Sequence, residues 1–303
     1  MIDTRLAPLQ NWLKALQPKW QLDLDTLTPA SADASFRRYF RIESKNPEFG
    51  TLIIMDAPPQ HEPLDAFIKV DFLLADAGLN VPKILEQNSQ EGFLLLNDLG
   101  NETYLAKLNL ETANDLYQDA TQALIKMQIA SKPDVLPNYD RALLQRELDL
   151  FPEWYLKKHL GIELDKQQQT LLQKSFDFII ENNLAQAKVY VHRDYHSRNL
   201  MVTSKNNPGV LDFQDAVYGP ITYDAASLWR DAYIAWPEEK VIDWVIRFWE
   251  QGRKANLPMP EDFGQFYRDF EWMGLQRHLK VLGIFARLFH RDGKDGYLKD
   301  IPL

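Results

Sequence analysis

The stretch from Val189 to Ala216, "VYVHRDYHSRNLMVTSKNNPGVLDFQDA", constrains this chain most, because it interrupts long helical patterns with short apolar strands. Helical periodicity runs from Asn109 to Met127, Tyr139 to Lys157 and Gln167 to Glu181, and resumes from Ala225 to Phe289. Upstream the pattern differs. Leu6, Leu9, Trp12, Leu13 and Leu16 step by threes and fours, which predicts an amphipathic helix ending near Pro18. "SFRRYFRI" and "TLIIMDAPP" have strand composition around Asn-Pro and Gly turn signals, and they predict an antiparallel hairpin. A helix over Leu64 to Ala77 and strands in "NVPKILEQ" and "GFLLLNDLG" follow. The expectation is an α+β chain: a small antiparallel-sheet lobe over residues 1–97, then a large, mainly helical lobe over 98–303.

The polar residues of the central stretch suggest chemistry. If "LMV" (Leu200 to Val202) and "GVL" (Gly209 to Leu211) pair symmetrically about "TSKNNP", Met201 opposes Val210 and Asn199 opposes Asp212. Directly opposed residues of an antiparallel pair point to one face with Cβ atoms about 5 Å apart, so one cation can meet both oxygens. An amide oxygen and a carboxylate suit magnesium, which completes its shell with phosphates and water. Asp194, five residues before Asn199, is then placed to accept a proton from an attacking hydroxyl. His192, Asp194 and Asn199 match the kinase catalytic-loop spacing H-R-D-x-x-x-x-N, and Leu211 to Phe213 stands where D-F-G is expected. The bland alternative is a hairpin whose Asp and Asn only cap turns.

Composition removes several function classes. The net charge of −9 over 303 residues disfavours binding to nucleic acid, so an anionic substrate needs a local group of cations. The absence of cysteine excludes disulfides, thiolate metal sites and a thiol nucleophile. No apolar run nears the roughly 18 residues of a membrane span, and the first residues lack a signal-peptide layout. A cytoplasmic protein with no membrane, nucleic-acid or obligate protein partner is expected.

With "HRDYHSRN", "LDFQDA" and "YDAASL" in view, the chain resembles the aminoglycoside phosphotransferase and choline kinase branch of the kinase-like fold. That resemblance implies a two-lobed protein-kinase-like fold using ATP and Mg2+. It also implies Asp194 as catalytic base, Asn199 and Asp212 as metal ligands, and His192 and Asp224 as supports of the loop; Asp224 is alternatively an N-cap of the helix starting near Ala225. "DASFRRYFRI", "MDAPP", "GLNVPKIL" and "GFLLLNDLG" are similar to the bacterial anomeric kinases that phosphorylate N-acetylmuramate and N-acetylglucosamine at C1 during peptidoglycan recycling. Phosphorylation of an aminoglycoside, and a nucleotide-binding regulator without turnover, stay open as alternatives.

The chain departs from the kinase pattern in its first lobe. "SADASFRRYF" has no glycine, so Ser35 is expected to meet phosphate oxygens, with Arg37 or Arg38 adding charge unless both lie on a solvent face. The strand lysine expected near Met55 and its helical glutamate partner near Phe67 are both missing, and Arg37 or Arg38 is expected to replace the lysine. Adenine is expected against the backbone of Asn97 to Leu99 with Leu96 on its face. The acceptor is expected to meet Tyr218, Trp229, Arg230 and Asp231, with Tyr233 and Trp236 nearby; the alternative is that these aromatic side chains pack a core.

Overall fold

Residues 3–31 and 36–301 are described by the computed structural model. Two units separate along the chain, Met1–Asp76 with Asn80–Asn101, and Ala77–Leu79 with Glu102–Leu303. In the first, helix α1 (Leu6–Trp20) is followed by β1 (Leu22–Ser31), β2 (Arg38–Ser44), β3 (Thr51–Asp56), α2 (Leu64–Asp76), β4 (Ile84–Asn88) and β5 (Phe93–Asn97). The strands form one antiparallel sheet in the order β1-β2-β3-β5-β4. Leu9 and Leu13 of α1 pack with Leu22, Ile42, Leu52, Ile54, Phe93 and Leu95 to form its core. Two expectations need correction. Helix α1 runs through Pro18 to Trp20 and closes on a left-handed Gln21 whose N–H bonds the Gln17 carbonyl, because a proline in the last turn forgoes only one backbone bond. Strand β1, whose "LDLDTLT" alternates, was not expected at all.

The second unit contains α3 (Tyr104–Lys107), α4 (Ala113–Ile129) and α5 (Arg141–Leu150), which continues as a π-helical segment, Phe151–His159. Then come α6 (Lys166–Ala185), β6 (Lys188–Val191), β7 (Leu200–Met201), β8 (Gly209–Val210), β9 (Val217–Pro220), α7 (Tyr223–Trp229), α8 (Glu238–Lys254) and α9 (Phe263–Asp292). Asp140, Asp165 and Asp262 cap α5, α6 and α9 by accepting a backbone N–H three residues on. Helix α9 packs on α5, α6 and α7. Its Gly283 permits a close crossing, since a Cβ there would lie 2.4 Å from the Leu150 backbone. Glu147 on α5 and Lys280 on α9 thereby come together, a contact on which the site depends. Among the described residues no helix is long and apolar enough to cross a membrane.

Candidate active site

Strands β6 and β9 pair antiparallel, with Val191 opposite Val217, so the chain leaves β6 at His192 and returns beside it after Ala216. Everything between is a loop and a small hairpin at the end of that pair. Tyr195 anchors the loop by donating its hydroxyl to the Ala120 carbonyl of α4 at 2.8 Å. His192 is fully buried, and burial pushes its imidazole down to about 4, so it is neutral near pH 7. Its Nδ1 accepts the Asp194 N–H at 3.2 Å, which fixes the proton on Nε2.

Two carboxylates hold the loop. Asp224, in the first turn of α7, accepts the His192 N–H at 2.7 Å and the Arg193 N–H at 3.0 Å. Thr222 occupies the N-cap of α7, and Asp224 supports the loop rather than the helix end. Asp231, just past the other end of α7, accepts the Ser197 N–H at 3.0 Å and the Tyr233 N–H at 3.1 Å. Helix α7 is buried along its whole length, so both carboxylates project from a fixed base.

The hairpin brings Asn199 and Asp212 together by a route the sequence did not reveal. Leu200 pairs with Val210 and Met201 with Gly209, one residue out of the expected register, and Asn199 therefore opposes Leu211. A one-residue slip sends a side chain to the opposite face of a strand. Asp212 returns because its backbone is left-handed, with φ of 63°. Asn199 Nδ2 donates to the Asp194 carbonyl at 3.0 Å and to Asp212 Oδ2 at 3.3 Å, which leaves Asn199 Oδ1 as an acceptor. Gln214 donates to Asp212 Oδ1 at 2.8 Å. An amide oxygen beside a carboxylate is a donor set that fits magnesium, and among the described residues no cluster of three or more His, Asp or Glu suggests a protein-enclosed metal instead.

Beneath the loop lies a charge network absent from the sequence expectations. Glu147 of α5, 4% exposed, accepts from Arg193 Nη2 at 2.5 Å and faces Lys280 Nζ at 3.1 Å. It also accepts the Tyr139 hydroxyl, and Lys280 donates to the Tyr223 hydroxyl at 3.0 Å. Arg193 holds a left-handed backbone, φ 77°, and its guanidinium is tied down by this network. The cations act on Asp194. Burial alone would raise its carboxyl, but Lys280, Arg277 and Arg193 bring it down to about 2, so it is ionised at any working pH. The signal in the sequence was charge on apolar helix faces: Glu147 between Leu144 and Leu148, and Arg277 and Lys280 in line with Phe270 and Met273.

Several expected contacts lie elsewhere. Trp229 is 2% exposed and packs on Phe248, so it has no face for a ligand. Arg230 is engaged by Glu238 and Glu271 at 2.7 Å each, and the Asp231 oxygens by the backbone N–H groups named above. Tyr218 is partly buried in β9 beside Tyr190, and Trp236 bonds the Tyr117 hydroxyl. Tyr233 does reach the loop: its ring lies 5.3 Å from His196 and 4.8 Å from the Arg198 guanidinium.

In the first unit Ser35 lies outside the described residues. Arg37 pairs with Glu62 at 2.6 Å, and Arg38 pairs with Asp56 and Asp3, so each arginine already meets a carboxylate. Leu96 is buried, Leu99 is partly buried, and Asn97 exchanges hydrogen bonds with the Lys83 backbone. Arg41, not expected, grips Asp98 with two bonds and bonds the Gly100 carbonyl at 3.0 Å, which fixes the segment after β5. Met55 and Phe67 are buried where the lysine and glutamate are missing, while Asp71, one turn after Phe67 on α2, is buried with Oδ1 unpaired among the described residues.

Against known proteins, residues 26–261 match the model of the phosphotransferase enzyme family. The chain belongs to that family. This phosphotransferase is a small-molecule kinase that moves phosphate from ATP to a hydroxyl. It is 50% identical over 302 residues to a Neisseria meningitidis serogroup B protein named N-acetylmuramate/N-acetylglucosamine kinase, covering 98% of this chain and 88% of the relative. A Pseudomonas aeruginosa protein of the same name is 48% identical over 307 residues, covering 99% and 90%. Its fold is similar to ADP-bound aminoglycoside phosphotransferase APH(2'')-Ib, with a TM-score of 0.63 at 13% identity over 96% of this chain and 95% of that one. It is also similar to choline kinase from Cryptosporidium parvum, with a TM-score of 0.62 at 12% identity, covering 98% and 93%. Both are protein-kinase-like, as the sequence led one to expect.

Proposed function

We propose that this phosphotransferase phosphorylates the anomeric C1 hydroxyl of N-acetylmuramate or N-acetylglucosamine, a step of peptidoglycan recycling. The observation that carries this reading is similarity at about half identity, along nearly the whole chain, to relatives that bear both substrates in their name. Asp194 is the catalytic base: its carboxylate orients the hydroxyl and takes its proton as the oxygen bonds the γ-phosphorus and the bond to ADP breaks. Held ionised by the cations around it, that carboxylate accepts the proton late in the transfer, and the anomeric hydroxyl is the more acidic of the sugar's hydroxyls. Asn199 and Asp212 would hold magnesium, whose charge offsets that of the phosphates. Asp224, Asp231 and His192 keep the loop in place. Residues 1–97, through Leu96 and Asn97, are assigned to the nucleotide together with Leu99 just beyond them, and the rest of residues 98–303 to catalysis and the acceptor.

The test is ADP release from the purified protein with ATP, magnesium and, in turn, N-acetylmuramate, N-acetylglucosamine, kanamycin and choline, with the product's phosphorylated position read by NMR. Phosphate at C1 of either amino sugar is expected. Turnover of kanamycin alone, or phosphate at another carbon, would overturn the reading.

A further inference from the structure

Arg277 differs from the other buried cations beneath the loop, Arg193 and Lys280. It lies on α9, 4% exposed, and among the described residues no carboxylate pairs with it. Its Nε and Nη1 are buried without a hydrogen-bond partner, and its guanidinium rests over the Tyr223 ring at 5.5 Å. By contrast Arg193 and Lys280 share Glu147, and Arg230 has two glutamates. An arginine cannot shed its proton to escape burial, so leaving it unpaired is costly. Such a cost is retained when a ligand supplies the missing anion.

The position of the guanidinium says which ligand. Arg277 and Lys280, one turn apart on α9, both lie over the Tyr223 ring, at 5.5 and 5.6 Å, and Lys280 meets the Glu147 that holds Arg193, so Arg277 stands on the catalytic loop's side of α9, where its charge also lowers the Asp194 carboxyl. Phosphate charge is met around Asn199 and Asp212 in the function proposed above, which leaves Arg277 to the acceptor. Its planar fork of donors matches a carboxylate. Of the two amino sugars only N-acetylmuramate has one, on the lactyl ether at C3, one ring width from the C1 hydroxyl that Asp194 addresses. We infer that Arg277 binds the carboxylate of N-acetylmuramate and sets the preference between the two acceptors.

This inference rests on the proposed acceptors, and the experiment separates the two. Initial rates are measured for the wild-type protein with N-acetylmuramate, its neutral methyl ester and N-acetylglucosamine, then for Arg277→Met and Arg277→Lys. Loss of a charge-assisted contact should lower the ratio of kcat/KM for N-acetylmuramate over N-acetylglucosamine by roughly 10- to 100-fold in Arg277→Met, through KM. Arg277→Lys should recover part of it. The methyl ester should show a similar deficit with the wild-type protein. Thermal unfolding of Arg277→Met at or above the wild-type temperature is expected, because an unpaired buried charge has been removed. An unchanged ratio would overturn the inference, and so would a wild-type enzyme that uses ester and acid equally, a result independent of whether any variant folds. If the wild-type protein phosphorylates neither sugar, the proposed function fails first and takes this inference with it.

Discussion

Replacing Glu147 with glutamine keeps the side chain's shape and removes its charge, which strands two buried cations. Arg193 at 2.5 Å and Lys280 at 3.1 Å lose their shared counter-ion, and the amide nitrogen must turn toward a donor at one side. Breaking a buried ion pair by removing one partner typically costs about 3–5 kcal/mol. The left-handed backbone of Arg193 adds strain of order 1–2 kcal/mol that this pairing currently holds in place. We expect the helical unit to lose about 3–5 kcal/mol, which moves a urea midpoint by roughly 1–2 M for a slope of about 2–3 kcal/mol/M. Tryptophan fluorescence follows this unit well, because of eight tryptophans only Trp12 and Trp20 belong to the other. Burial would raise the Glu147 carboxyl, but Lys280 and Arg193 hold it below its ordinary value of 4.5, so its stabilisation is present above that value and fades as pH falls through the lower, folded one. The glutamine penalty should therefore shrink in acid. Adding Lys280→Met to Glu147→Gln removes one stranded charge and should restore about 1–3 kcal/mol. Strictly additive losses in this cycle would refute the account of a shared counter-ion.

Three further outcomes are expected. Asp194→Asn should lower kcat by about 100-fold or more with ATP affinity retained, because the base is lost and the loop's backbone contacts stay; full turnover would exclude Asp194 as base. Lys280→Met should raise the Asp194 carboxyl from about 2 and move the acid limb of kcat/KM to higher pH, whereas a limb that stays put would show that Lys280 does not act on the base. Asp71 is raised to about 7 by burial, so its contribution to stability is full below 3.8 and is lost as pH rises through 7. Asp71→Asn should be free of that loss, on the order of 3 kcal/mol, in thermal unfolding followed from pH 5 to 8.

The pieces of this site that could be read in advance are those encoded locally. Asp194 and Asn199 sit five residues apart in one loop, and their spacing survives in three dimensions. Symmetry about the turn pairs Asp212 with Asn199 in the wrong register, and only a left-handed backbone, invisible in residue identity, brings the side chain back. Non-local partners were harder. Glu147, Arg277 and Lys280 come from two distant helices, and nothing in their spacing says that they converge on Asp194. The aromatic and charged residues after Asp224 looked like a ligand surface, but Trp229 fills a core and Arg230 and Asp231 are occupied by neighbours. In the sheet unit, β1 is the least legible strand because its Leu residues alternate with Asp and Thr, while the strands beside it are more apolar.

Helix α7 acts as a ruler for the loop above it. Asp224 stands near one end and Asp231 just past the other, each hooked to a different part of the loop. The separation of those hooks is set by the seven residues of α7, a length of about 10 Å. Deleting one residue would shorten the ruler by about 1.5 Å and swing one hook by about 100°. In the turn of residues 203–208 only Ser204 to Asn206 are exposed, while Asn207 is held by the Tyr104 hydroxyl and the Asp119 carboxylate. Descendants of this chain can therefore lengthen that turn at its exposed tip, while α7 can exchange side chains but cannot gain or lose a residue without mis-setting Asp194.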